Sequence, residues 1–133
     1  MKYMLDTNII IYLIKNKPKN VLKNFTKHKL DEICISSITF AELIYGVEKS
    51  VHQEQNRIAL YSMLSNVKIL NFNSLAAEKY GNLRAKLEHS GSLIGPMDLL
   101  IASHALAENL TLVTNNISEF VRVQNLKLEN WVE

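Results

Sequence analysis

Four acidic residues, far apart along the chain, occur among apolar residues or at the joints between predicted elements. Asp98 illustrates the pattern, because apolar residues follow it at positions i+3, i+4 and i+7. That spacing places the carboxylate on the apolar face of a helix. Isolated ionised carboxylates are costly to bury, so such a group needs a partner or a metal ion. The four residues are Asp6, Glu42, Asp98 and Glu119.

The ligand types in this set indicate a particular chemistry. Oxygen ligands without His or Cys favour a hard divalent cation, here Mg²⁺ or Mn²⁺. Mg²⁺ usually takes one or two protein carboxylates and leaves its other positions to water and substrate phosphate. The set therefore predicts metal-assisted hydrolysis of a phosphodiester, with a spare carboxylate accepting the proton of the attacking water. No nucleophile is required from the protein, and the chain shows no Ser-His-Asp or Cys-His pattern.

Each carboxylate also has a purely structural explanation. Asp6 is a good helix N-cap type, and Asp98 lies two residues after a proline, where the helix dipole favours negative charge. Glu42 lies at the edge of an apolar stripe shared with Ile38, Ala41 and Tyr45, and Glu119 has capping-box spacing from an asparagine. These explanations weaken when the four are taken together, because carboxylates crowded at one place repel one another unless a cation lies between them.

The elements that must position these acids alternate between strands and helices. Short apolar strands are expected at residues 4–5, 32–35, 67–72, 110–114 and 126–128. Helices are expected at residues 9–14, after Pro18, and at 38–49, 53–64, 74–88, 96–108 and 117–120. This alternation predicts an α/β fold with a mostly parallel sheet. In such sheets the strand carboxyl ends and helix amino ends share one edge, where ligands bind.

Composition narrows the class of protein. A chain of 133 residues with 47% hydrophobic residues is expected to form one domain with a real core. The single cysteine, Cys34, cannot form an internal disulfide and is expected to be buried. Asp6 interrupts the first apolar run, which argues against a signal peptide, and no run approaches the ~18 residues of a membrane helix. We therefore expect a cytoplasmic protein with no membrane contact.

Charge is distributed unevenly. Residues 1–30 carry seven lysines against a single acid, Asp6. Such a segment either binds a polyanion or forms a solvated helix face. On the helix predicted at 96–108, His104 and Glu108 form an i,i+4 pair that we interpret as exposed.

Four blocks of sequence, in this order and spacing, resemble the PIN-domain ribonucleases, and more narrowly the VapC-type toxins of bacterial toxin–antitoxin pairs. The blocks are MLDTN (4–8), SSITFAEL (36–43), IGPMDLLIA (94–102) and LVTNNISEF (112–120). The resemblance implies one PIN domain over residues 1–133, a three-layer α/β/α fold with a short, mainly parallel sheet. It also implies an Mg²⁺-dependent endoribonuclease.

By the same resemblance, the catalytic residues are Asp6, Glu42, Asp98 and Glu119. Asp6 and Asp98 would be the main metal ligands, with Glu42 beside them. Many PIN domains have an aspartate after the fourth strand, where this chain has Asn115 and Asn116, so Glu119 takes that role and the number of metal ions stays open. The residues expected to orient ligands or water are Thr7, Asn8, Thr114 and Asn116.

The resemblance further implies partners. It predicts a VapB-type antitoxin, a homodimer within a toxin–antitoxin hetero-oligomer, and DNA contact only through the antitoxin. The expected substrate is structured RNA, typically a tRNA anticodon loop, in the bacterial cytoplasm. Residues expected to contact RNA phosphates are Lys15, Lys23, Lys27 and Arg84, with Lys86 as an alternative to the last.

Two other classes of protein compete with this interpretation. A non-catalytic binding domain on the same fold would be expected to lack one of the acids, and all are present. An aspartate phosphatase needs a second Asp at the position of Asn8, and a phosphotransfer receiver needs paired acids near the first strand. A flap nuclease needs a much longer chain.

Overall fold

Five short strands form a single sheet in the computed structural model, which describes residues 1–133. In chain order the elements are β1 (Tyr3–Leu5), α1 (Thr7–Lys15), α2 (Lys19–Thr26), a 3₁₀ turn (Leu30–Glu32), β2 (Ile33–Ser36), α3 (Ser37–Glu48), α4 (Gln53–Leu64), β3 (Lys68–Leu70), α5 (Ser74–His89), α6 (Pro96–Ala107), β4 (Thr111–Val113), α7 (Ile117–Phe120) and β5 (Leu128–Glu129). The alternation predicted from sequence is confirmed.

All five strands differ from their predicted bounds, three of them by a single residue at one or both ends and β3 and β5 by two residues at one end. β3 covers only Lys68–Leu70 of the expected 67–72, since its pairing with β2 is limited to the three positions opposite Cys34, Ile35 and Ser36. β5 begins at Leu128, because its pairing partners in β4 are Leu112 and Val113. The apolar residues of the expected strand, Leu126 and Leu128, did not by themselves determine this register.

The strand order is β3-β2-β1-β4-β5, and every neighbouring pair is parallel. The chain moves outward in one direction from β1 to β2 and β3, and then returns to the other side of β1 to form β4. In an open parallel sheet, the crevice at the carboxyl end of such a reversal is where ligands bind. Here the reversal lies between β1 and β4.

Helices cover both faces of the sheet and bury two apolar clusters. α1, α3 and α4 pack on one face, with Ile9, Leu43 and Leu60 buried against the strands. α5 and α6 pack on the other face, where Leu83 and Ile101 are buried. The β-strand side chains alternate between these clusters, so the three-layer α/β/α prediction is confirmed. Buried Cys34 belongs to the second cluster, as expected.

Local signals explain where the helices begin and end. Ser36 accepts a hydrogen bond from the Ile38 N–H at 3.1 Å and so caps α3, while Asn73 caps α5 through the Ala76 N–H at 3.1 Å. Pro96 occupies the first turn of α6, and Asn109 follows that helix with φ of 56°, a left-handed conformation that asparagine tolerates. None of the helices has the length and apolarity required to span a membrane.

Candidate active site

Asp6 follows β1 directly and begins α1. Its backbone N–H donates to the Val113 carbonyl at 2.9 Å, which holds it beside the end of β4. Its carboxylate accepts hydrogen bonds from the Thr7 N–H and the Thr114 hydroxyl, each at 2.8 Å. The side chain is 5% exposed, and burial raises its pKa although both hydrogen bonds oppose that rise. Asp6 is therefore both the predicted N-cap and a buried acid at the chain reversal.

Asp98 lies in the first turn of α6, with its i+3, i+4 and i+7 neighbours Ile101, Ala102 and Ala105 fully buried as predicted. Its Oδ2 accepts a hydrogen bond from the Asn116 amide at 3.3 Å. Burial, followed by the charges of Asp6, Glu119 and Glu42, raises the pKa of Asp98 to about 7. Asp98 therefore shares one electrostatic environment with the other three acids.

Glu42 reaches the same place from α3, although the predicted apolar face of that helix is wrong. The buried face is Thr39, Leu43 and Val47, and Tyr45 is 64% exposed. Glu42 is half-buried at the border of this face, where its Oε1 accepts a hydrogen bond from the Thr7 hydroxyl at 2.6 Å. The contact with Thr7, rather than apolar neighbours on its own helix, aims the carboxylate toward Asp6.

Glu119 comes from α7, beyond β4. The Gly95 N–H donates to its Oε1 at 2.6 Å, and the Asn116 amide donates to its Oε2 at 3.0 Å. These two donors lower its pKa. The capping-box explanation is wrong, because the Asn116 side chain donates to Glu119 and caps no backbone N–H. Glu119 is thus fixed next to Asp98, to which the same amide also donates.

We call these four residues, Asp6, Glu42, Asp98 and Glu119, the acidic cluster. Three of the four predicted orienting residues connect them: Thr7 joins Asp6 to Glu42, Thr114 bonds Asp6, and Asn116 joins Asp98 to Glu119. Asn8 is exposed and makes no hydrogen bond to the cluster. The prediction that these distant segments converge is therefore borne out by geometry, while the catalytic roles of the residues stay predictions.

Two further residues contribute to the site, and neither role was predicted from the sequence. Gly95 donates its N–H to Glu119, and a Cβ at this position would lie 3.4 Å from Glu119 Oε1. Its only sequence signal is its place before Pro96. His104 was predicted to be exposed, and this is wrong, because it is fully buried. Its Nδ1 lies 2.7 Å from the Ser36 hydroxyl, and its ring makes an edge-to-face contact with the ring of Phe72. Burial lowers its pKa.

The chemistry of the acidic cluster fits a hydrated hard cation. Its ligands are all oxygens, and the repulsion that contributes to the raised pKa of Asp98 would be relieved by a positive ion among them. No group of three or more His, Cys, Asp or Glu side chains is arranged so that these side chains together could hold a metal ion. Mg²⁺ does not need such a group, because it usually binds through one or two carboxylates and keeps several waters.

The predicted RNA-contacting residues do not all lie near the cluster. Lys15 lines an apolar groove that Glu42 also lines. Lys23 and Lys27 lie in a segment that starts after α1 and ends next to Glu32, whose carbonyl accepts from the Lys2 N–H. Both ends of that segment are at the amino edge of the sheet, opposite the acidic cluster. Arg84 is paired with Glu88 at 2.8 Å on the outside of α5.

Comparison with known proteins agrees with this geometry. The PIN domain family model matches residues 3–126. The chain is 48% identical to the ribonuclease VapC2 of Haemophilus influenzae over 99% of both chains, and 44% identical to the tRNA(fMet)-specific endonuclease VapC of Shigella flexneri over 98% of both. The crystal structure of VapBC2 from Rickettsia felis, bound to a DNA fragment from its promoter, contains a chain that superposes with a TM-score of 0.91 at 50% identity, covering 98% of this chain and 99% of that one. On these matches, the chain belongs to the PIN domain family and, within it, to the VapC type.

Proposed function

We propose that this protein is a metal-dependent endoribonuclease that serves as the toxin of a VapBC-type pair. The observation that carries the proposal is the convergence of four acids from distant segments at the chain reversal of the sheet. The names of the Haemophilus influenzae and Shigella flexneri relatives, a ribonuclease and a tRNA endonuclease, support it. We also propose that residues 1–133 act as one PIN domain, since both apolar clusters pack on the same sheet.

We propose that Asp6 and Asp98 hold Mg²⁺ or Mn²⁺, with Glu42 beside them. When bound, the divalent cation supplies charge neutralisation at the scissile phosphate and a more acidic water. Asp98 Oδ1 accepts no hydrogen bond from the protein and is free for an ion, whereas its Oδ2 is oriented by Asn116. Thr114 and the Thr7 N–H similarly fix the orientation of the Asp6 carboxylate.

The remaining two acids are suited to different tasks. Glu42 Oε2 accepts no hydrogen bond from the protein, so we assign it as the acceptor of the proton from the attacking water. Both oxygens of Glu119 are engaged by Gly95 and Asn116, which keep it ionised and fixed. Glu119 then orients water and holds Asn116 in place rather than exchanging protons.

For the substrate, we propose tRNA cleaved in its anticodon loop. The support is that the Shigella flexneri relative is a tRNA(fMet)-specific endonuclease. A loop presents unstacked bases and an accessible backbone, which suits an acidic cluster at the open edge of a sheet better than a continuous duplex does.

For the partner, we propose a VapB-type antitoxin, bound within a hetero-oligomer that also contains a homodimer of this chain. The support is that the Rickettsia felis neighbour is a VapBC complex on promoter DNA. An apolar groove of about 260 Å³, lined by Ile14, Leu43 and Val47 and bordered by Glu42 and Lys15, offers a surface for the antitoxin tail. DNA would be contacted by the antitoxin only.

The cleavage activity is tested by incubating purified protein with total bacterial RNA and Mg²⁺, then mapping new 5′ ends. We expect discrete ends in tRNA anticodon loops, lost on addition of EDTA and restored by excess Mg²⁺ or Mn²⁺. Cleavage that persists in EDTA would refute the metal-dependent mechanism. Discrete ends outside tRNA would refute the substrate but leave the nuclease proposal standing.

The partner proposal is tested separately by co-expression and co-purification with a VapB-type antitoxin. We expect a complex larger than a heterodimer on gel filtration with light scattering, and inhibition of RNA cleavage at equimolar ratio. Full activity in a stable complex would contradict neutralisation by this partner.

A further inference from the structure

A concave basic surface lies on the α5 side of the molecule, away from the lysine-rich N-terminal segment. Its volume is about 350 Å³, and its lining includes Lys79, Lys86 and Arg122 together with the amide side chains of Asn82, Gln124 and Asn125. We call this the basic pocket. Two cations lie two turns apart on α5, and the third comes from the segment after α7, so only the fold assembles the pocket.

The three cations of the basic pocket are unpaired. The ion pairs of the structure join Lys2 to Glu32, Arg57 to Glu48 and Glu54, and Arg84 to Glu88. None of them includes Lys79, Lys86 or Arg122, and no acid lines the pocket. Amide and guanidinium N–H groups in such a concavity suit an anion with several acceptor oxygens, such as a phosphodiester.

The basic pocket is joined to the acidic cluster by short connections. Arg122 Nη1 donates to the Leu93 carbonyl at 3.2 Å, and two residues later the Gly95 N–H donates to Glu119. The Arg122 N–H also donates to the Glu119 carbonyl at 3.2 Å. The positive charge of Arg122 contributes to the low pKa of Glu119, after the hydrogen bonds from Gly95 and Asn116. Arg122 therefore links the basic pocket to the Glu119 side of the acidic cluster.

We propose that the basic pocket binds backbone phosphates of the RNA substrate on the Glu119 side of the acidic cluster. The inference rests on the proposed nuclease function and adds the location of the substrate backbone. Four carboxylates repel an approaching RNA strand, and three unpaired cations nearby offset that repulsion. Because the contacts are to phosphates, they contribute affinity but no base preference.

The experiment measures binding of labelled tRNA by fluorescence anisotropy at several salt concentrations between about 50 and 200 mM. It uses the Asp98→Asn protein, so that RNA is not consumed. The test variant adds Lys79→Gln, Lys86→Gln and Arg122→Gln. The matched control instead adds Lys49→Gln, Lys68→Gln and Lys127→Gln, which remove the same charge from exposed positions outside the pocket. A Lys79→Gln, Lys86→Gln double variant keeps Arg122 and its hydrogen bond to Leu93. It therefore separates the loss of charge from any structural change caused by losing that hydrogen bond.

We expect the pocket triple variant to lower the slope of log K against log [salt] by ~2 and the double variant by ~1.4, from about 0.7 per phosphate contact on single-stranded RNA. The control should keep the full slope. In the active protein, we expect the Lys79→Gln, Lys86→Gln double variant to raise KM for tRNA with little change in kcat. An unchanged slope in the pocket variants, or an equal loss in the control, would overturn the proposal.

Two other outcomes separate this proposal from its alternatives. If the unmodified protein neither binds nor cleaves RNA, the proposed function itself fails. If it cleaves RNA and the pocket variants retain the full salt slope but bind the antitoxin more weakly, the pocket is a site for an acidic protein segment, and the phosphate assignment is wrong.

Discussion

Small hydroxyl and amide side chains determine which oxygens of the acidic cluster stay free. Thr7 and Asn116 each bond two acids, and Thr114 links Asp6 to the Asn116 N–H, which donates to its hydroxyl at 2.9 Å. These contacts hold the carboxylates in fixed orientations at the cost of mutual repulsion. A cation supplies the missing attraction, so residues that look costly for folding are suited to metal-dependent catalysis.

Replacing Asp98 with Asn should abolish RNA cleavage while the protein stays folded. The substitution keeps the side-chain shape but removes a ligand and a repulsive charge. We expect cleavage to fall more than ~100-fold, since even the hydrogen-bonding partners of ligands cost about 10–100-fold when mutated. Initial rates on tRNA and circular dichroism measure the two effects. Asp31→Asn, at an exposed acid in the 3₁₀ turn, is the control. Unchanged turnover in Asp98→Asn would refute the ligand assignment.

The raised pKa of Asp98 also predicts a pH dependence of stability without metal. The pKa of Asp98 is about 7 in the folded protein, whereas in the unfolded chain it has the ordinary value for aspartate of 3.8. The folded state therefore binds more protons between these values, so this group destabilises the fold increasingly as pH rises through that window.

In EDTA, Asp98→Asn should therefore gain stability relative to the unmodified protein as the pH rises. The difference in free energy of unfolding between the two proteins should increase from pH 5 to pH 8. We expect a gain of ~1–2 kcal/mol after discounting for the solvent that reaches this half-buried group. Urea unfolding at both pH values measures it. Taking the difference between the two proteins cancels the opposing contribution of His104, whose lowered pKa costs stability as pH falls. A difference that shrinks with rising pH would contradict the assigned shift.

At the scale of elements, the site depends on how α3 and α6 are held against the sheet. Ser36 ends β2, caps α3 and meets His104 from α6 in a buried contact. One hydroxyl thus connects the helix that positions Glu42 with the helix that positions Asp98. The contact is fully buried at both residues, so breaking it leaves a polar group without water to replace the partner.

This connection can be measured by a double-mutant cycle. Ser36→Ala alone should cost ~2–3 kcal/mol, because it removes an N-cap and strands the His104 ring nitrogen. In a His104→Leu background the same change should cost only ~1 kcal/mol, the loss of the cap alone. Urea unfolding of the four proteins gives the coupling energy. Additive costs would show that the two residues are neighbours without an energetic connection.

Sequence patterns predicted the elements well because strand and helix signals are local. Asp98 was placed correctly since its buried neighbours lie on its own helix, at fixed spacing. The buried face of α3 was predicted incorrectly, because Tyr45 was counted as apolar but lies on the exposed side of the helix. His104 was predicted to be exposed because histidine is polar by type. Its buried partner, Ser36, is 68 residues away along the chain, so no local pattern could indicate the contact. The basic pocket, built from α5 and the segment around Arg122, has no signal in either stretch alone.

For the molecule as a whole, the acidic cluster joins the start of the chain to its last third. Asp6 precedes the first helix, whereas Asp98 lies in α6 and Glu119 in α7. A ligand that binds the assembled cluster, and not the unfolded chain, must stabilise the entire fold by mass action. Metal binding is therefore measurable without any assay of catalysis.

Adding Mg²⁺ should raise the midpoint of thermal unfolding. At a free concentration of about 100 times the dissociation constant the gain is ~2.7 kcal/mol, which for a domain of this size corresponds to roughly 10 °C. Differential scanning calorimetry in Mg²⁺, with NaCl of equal ionic strength as the reference, measures the shift. Asp31→Asn should respond like the unmodified protein, whereas Asp6→Asn and Asp98→Asn should lose most of the response. If the shift survives in both Asp6→Asn and Asp98→Asn, the ion binds outside the acidic cluster. Asp31→Asn is the matched comparison, because it also loses one carboxylate but leaves the cluster intact.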